Sequence, residues 1–145
     1  MIASLCHAYC GGRLFLHVLG ATLLFGGVLT VVILSIAGLR LTQHTELLRR
    51  LAFGLTLLVV WPAWIVMRVG AQLVLTSEGL DKHSPSWVGV GFAVSDAGIV
   101  VLLLLTLFGW LAARRGCALN AFAGLGSLYL VALGVAWFFM SAKPT

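Results

Sequence analysis

Charge is what this sequence has least of. Charged side chains make up 9% of its 145 residues, against roughly 25% in a soluble domain, so too few ionic groups exist to cover a water-facing surface. A soluble globular fold is excluded. Acidic residues number only four, no glycine-rich phosphate loop of the Walker type occurs, and no stretch between the apolar runs is long enough to hold a soluble domain. A cleaved signal peptide is not expected either, because the first apolar run far exceeds the roughly 7–15 residues of a signal core and no strongly basic segment precedes it.

What is present is apolar. Hydrophobic residues form 61% of the chain and the mean hydropathy is +1.12. A hydrocarbon core about 30 Å thick needs roughly 20 helical residues at about 1.5 Å each. Four segments meet that length: Leu14 to Leu39, Leu51 to about Leu73, about Val88 to Ala113, and Ala121 to about Ser141. Lipid offers the backbone no hydrogen-bond partner and four strands could not close a barrel, so each segment is predicted as a helix. The connections are short, which makes neighbouring helices antiparallel. The expected fold is therefore all-α membrane, a single antiparallel four-transmembrane-helix bundle.

Five arginines set the expected orientation. Arg40, Arg49 and Arg50 lie in the first connection and Arg114 and Arg115 in the third, against Lys82 in the second. By the positive-inside rule the first and third connections are cytoplasmic and both termini lie outside, which in a bacterial inner membrane is the periplasm. These arginines and anionic lipid account for the net charge of +5 and the pI near 9.7. The expected partners are the lipid bilayer and either another membrane protein or further copies of the chain, with no nucleic acid.

Small residues recur every seventh position, at Gly20 and Gly27, at Gly91 and Gly98, and at Ser127, Gly134 and Ser141. Such stripes predict seams where helix backbones approach closely. In the second span Trp61, Trp64, Arg68 and Gln72 follow at offsets of three and four, so they share one polar-aromatic face. Pro62 removes a backbone hydrogen bond and predicts a kink beside Trp61.

Arg68 and Asp96 are the charged residues placed well within the spans, and both fall in the outer leaflet with His17. A charge near the bilayer centre costs about 2.5–3.5 kcal/mol on insertion scales, so the two are expected to pair; the alternative for Arg68 is to snorkel to the headgroups. His17 is expected to face the bundle, as a structural hydrogen-bonding group or as a ligand of haem or copper. Just before the first span Cys6, His7 and Cys10 form a second candidate metal cluster. Thiolates and imidazole suit copper(I) or zinc, whereas an oxidising compartment favours a Cys6 to Cys10 disulfide, and an incidental pair of thiols is the third reading.

The stretch Leu16-His17-Val18-Leu19-Gly20-Ala21-Thr22-Leu23-Leu24-Phe25-Gly26-Gly27 resembles the opening helix of bacterial inner-membrane proteins related to CopD, the copper-resistance membrane protein. The arginine-bearing first connection, the Trp61-Pro62-Ala63 region and the ending Met140-Ser141-Ala142-Lys143-Pro144 are most similar to an uncharacterised four-helix branch of that group. The resemblance implies a four-helix membrane bundle and the handling of copper or haem, with His17 as the ligand carried over. HemJ, a membrane protoporphyrinogen oxidase with a haem-linked histidine, is a more distant likeness by the same helix pattern. The leading expectation is an outer-leaflet polar pocket built from His17, Arg68 and Asp96, flanked by Trp61 and Trp64, that binds copper, haem or a redox-active small molecule. Two alternatives stand beside it: a non-catalytic accessory or assembly subunit of a larger membrane complex, and a small transporter acting as an oligomer.

Overall fold

The computed structural model describes residues 2–41, 44–78 and 86–142, and all regular structure among them is helical. The elements are α1 (Ile2–Arg40), α2 (Thr45–Leu55), a π-helical turn (Thr56–Val60), α3 (Trp61–Glu78), α4 (Ser86–Arg115) and α5 (Leu119–Ala142). Because α2, the π turn and α3 follow one another without a break, the described residues form four helical paths. Four segments are long and apolar enough to cross a membrane, Gly11–Arg40, Thr45–Thr76, Gly91–Arg115 and Leu119–Phe139. The chain is a multi-pass membrane protein built as a four-helix bundle.

The helices outrun the apolar segments. The first begins at Ile2 and the second path at Thr45, because a helical ladder once nucleated propagates through polar residues as readily as through apolar ones. In the extra turn at the start of α2, Glu46 pairs with Arg50 one turn later. The irregularity expected at Pro62 takes a specific form. Trp61 donates its backbone N–H to the carbonyl of Thr56, one residue farther back than in an α-helix, so the turn before the proline is widened. A proline ring collides with the carbonyl four residues earlier, and a widened turn relieves that collision without breaking the path.

Packing is closest between α1 and α3. A methyl placed on Gly20 would come within 2.6 Å of the Met67 Cα, and one on Gly70 within 2.6 Å of the His17 backbone nitrogen. Farther along, Gly27 faces Val59 and Val60. The contacting residues run in opposite order along the two helices. On the other flank of α1, Gly126 of α5 faces Val32 and Phe25 meets Trp137 edge-on at 5.7 Å. Gly109 of α4 sits between Phe53 and Phe122. Leu24, Val28, Val31, Leu102, Leu105 and Phe122 fill the centre. Ser35 and Thr56 are equally buried, and each satisfies its hydroxyl on the carbonyl one turn back, Val31 O at 2.7 Å and Ala52 O at 2.9 Å.

The seven-residue stripes fare unequally. Gly20, Gly27 and Gly98 all lie in helix contacts, whereas Gly134 has no neighbour within 4 Å and Ser141 is exposed. In α5 the close approach falls instead at Gly126, where Val32 fills the groove. At one end of the bundle the Arg49 guanidinium lies against Gly116, which adjoins Arg114 and Arg115. Gly38 near the end of α1 touches Leu119 and Leu48 at the same end. This arginine end thus gathers the end of α1, the start of α2, the end of α4 and the start of α5.

Candidate functional site

The polar-aromatic face of α3 turns toward α4, and Trp61, Trp64 and Arg68 each reach across. Whereas α3 lies backbone-to-backbone on α1, it meets α4 through side chains. Trp61 donates its Nε1–H to Thr106 Oγ1 at 2.9 Å. Thr106 sends its own proton to Leu102 O at 2.7 Å, which leaves its oxygen free to accept. One turn on, Trp64 Nε1 donates to Ser95 O at 3.2 Å, and the two indoles meet edge-on at 6.2 Å.

A further turn along, Arg68 approaches Asp96 with Nε at 3.2 Å and Nη2 at 3.1 Å, both on Oδ1. Its Nη1 donates to Gln72 Oε1 at 3.3 Å, and the guanidinium lies 4.6 Å from the centre of the Phe92 ring. The guanidinium is thus aimed sideways at α4 rather than along the helix. Asp96 lies ten residues past the start of α4 at Ser86 and Arg68 ten before the end of α3 at Glu78, about 15 Å along each helix at the helical rise. The pair is not sealed in the bundle: side-chain exposure is 27% for Arg68 and 61% for Asp96. It faces outward from the gap between α3 and α4.

His17 occupies a different seam. Its backbone abuts Gly70, and its Nδ1 lies 3.1 Å from Met67 O. A carbonyl can only accept, so Nδ1 carries a proton, and in the neutral ring Nε2 holds the lone pair. His17 and the Arg68–Asp96 pair stand at similar heights on α3 but on different faces, and no contact joins them. The structure therefore brings together Trp61, Trp64, Arg68 and Asp96 and leaves His17 on the far side of α3.

Several participants were not legible in the sequence. Thr106 and the carbonyls of Ser95 and Met67 accept the three cross-helix bonds of Trp61, Trp64 and His17, and backbone acceptors carry no residue signal. Gly70 is an isolated glycine outside any stripe, yet it seats His17. Two buried hydroxyls, Ser95 Oγ and Tyr129 OH, have no partner. The Tyr129 hydroxyl is pressed against Gly98, where an added methyl would lie 2.7 Å from it. Beside Tyr129 an apolar groove of about 330 Å³ separates α4 from α5, lined by small side chains such as Ala93, Ala97 and Ala132. Its lining carries no carboxylate, imidazole, amine or guanidinium.

Copper and haem are the groups implied by the CopD-related resemblance. The free Nε2 of His17 suits ligation. Among the described residues, however, no three His, Cys, Asp or Glu side chains stand together to hold a metal ion, and the tight contact of α1 with α3 leaves no porphyrin-sized space between their backbones at His17. The side chains of Cys6, His7 and Cys10 lie outside the described residues. No protein-family model, curated protein or solved structure matches the chain.

Proposed function

We propose that the chain is a non-catalytic assembly subunit of the bacterial inner membrane, an antiparallel bundle with both termini periplasmic, whose α3–α4 face is its contact surface. The observation that carries this reading is the Arg68–Asp96 pair standing on the outside of the bundle at membrane depth. A carboxylate turned toward acyl chains is costly, and a neighbouring protein surface removes that cost. The apolar lining of the groove between α4 and α5 and the use of the indole N–H groups for helix contacts support the same reading. The orientation rests on the arginine end, where Arg40, Arg49, Arg50, Arg114 and Arg115 meet one acid, Glu46, already paired with Arg50.

A second reading is favoured by one specific observation, the Nδ1 bond of His17 that leaves Nε2 free. On this reading, which the CopD-related resemblance of residues 16–27 also supports, His17 is a single protein ligand to haem or copper. Purification in mild detergent separates the two. The assembly reading expects a colourless protein without stoichiometric metal, migrating as a complex larger than one chain. A Soret band or stoichiometric copper that is lost in His17→Ala establishes the second reading, and a cofactor-free monomer overturns the first.

A further inference from the structure

We propose that the occupant of the α3–α4 face is a second copy of this chain. The dimer has a two-fold axis normal to the membrane, passing beside the α3–α4 gap, so that Arg68 of each copy faces Asp96 of the other. This inference rests on the assembly reading above and names the partner.

The argument begins with unused bonding capacity. Both bonds from Arg68 fall on Asp96 Oδ1, and among the described residues Oδ2 accepts no hydrogen bond. The carboxylate has lone pairs to spare and is 61% exposed at a depth where lipid cannot use them. A two-fold interface applies one patch to itself, so a patch of a single charge sign repels its own copy. This patch carries one charge of each sign side by side. Rotation about the membrane normal keeps every residue at its depth, and setting the pair against its rotated image yields a square of alternating charges.

The surroundings suit such a contact. Ile65 and Val69 on α3 and Val100 and Leu103 on α4 flank the pair, and each is more than half exposed, giving an apolar border that would exclude water from the charges. The outer face of α5 offers a contrast, because Leu128, Val131 and Val135 are exposed there with no ionisable group among them. Lipid alone satisfies that face.

Two measurements on the full chain in lipid nanodiscs test the dimer. In a background with Cys6, Cys10 and Cys117 changed to Ser, Ile65→Cys with Val100→Cys is expected to form an oxidative cross-link at twice the chain mass, while Val131→Cys forms none. In the second, Arg68→Asp and Asp96→Arg are each expected to lose the dimer when expressed alone. Co-expressed, they are expected to regain it as a mixed pair, since one chain then carries two acids and the other two bases. A wild-type dimer indifferent to either reversal, or cross-linking at Val131 alone, overturns the proposal. Should the reversed chains fail to fold, the cysteine pair decides by itself: absence of the doubled mass is the negative answer. A complex with a different subunit refutes the homodimer and leaves the assembly reading intact, whereas a monomer refutes both.

Discussion

Replacing Gly70 by alanine tests the close backbone contact between α1 and α3. The new methyl would lie 2.6 Å from the His17 backbone nitrogen, 2.7 Å from its Cα and 3.0 Å from its Cβ. Non-bonded carbon contacts are comfortable at about 3.5–4.0 Å. Two of the three clashing atoms are backbone and cannot rotate aside, so α1 and α3 must part by about 1 Å. The bond from His17 Nδ1 to Met67 O, 3.1 Å in the native seam, would then stretch to about 4 Å and be lost. Overpacking of this kind costs about 1–3 kcal/mol, and an interhelical hydrogen bond in lipid about 0.6 kcal/mol more. Alanine recovers up to about 1 kcal/mol of helix propensity, which leaves a net loss of about 1–3 kcal/mol. Gly134→Ala is the matched control, because no atom lies within 4 Å of its new methyl. Equilibrium unfolding in mixed micelles, followed by circular dichroism, should place Gly70→Ala clearly below wild type and Gly134→Ala at or above it. Adding Gly20→Ala to Gly70→Ala should cost less than the sum of the two, since either methyl already parts the helices. Equal stability of Gly70→Ala and Gly134→Ala would refute the backbone contact.

Three further outcomes follow from the site. Arg68→Ala and Asp96→Ala should each lower stability, with the double variant no worse than either single; strictly additive losses in the double-mutant cycle would dissolve the pair. Trp61→Phe keeps an aromatic ring but removes the donor to Thr106 and trims the indole, and should lose at least about 0.5–1.5 kcal/mol in the same unfolding assay; no loss would mean the bond is not made. Tyr129→Phe should be neutral or stabilising, because the hydroxyl is buried, 3% exposed as a residue, and has no partner. A marked loss would reveal an acceptor for that hydroxyl.

The sequence carries the architecture because membrane helices are recognised by length and apolarity, and four uncharged runs leave little choice. It also carries the ion pair, since Arg68 and Asp96 are alone among the charged residues in lying deep within the runs. The offsets of Trp61, Trp64 and Arg68 disclose one face, and helical geometry makes that face reliable. Which helix it meets is a property of the assembled bundle, so the acceptors on α4, Thr106 and the carbonyl of Ser95, stay hidden. Depth along the spans groups His17 with Arg68. Depth fixes height and leaves azimuth open, and residues 67 and 68 point about 100° apart on an α-helix. Pro62 signalled an irregularity, but whether a helix answers with a kink or a widened turn depends on its neighbours. Glycine periodicity succeeded where a large residue faced the gap and failed at Gly134, where nothing does.

Native mass spectrometry of the full chain released from lipid nanodiscs tests the central claim most directly. The account predicts a cofactor-free assembly larger than the single 15.4 kDa chain, which falls to single chains in Asp96→Arg. A wild-type protein that flies as a single chain, or an assembly that Asp96→Arg leaves whole, would contradict it.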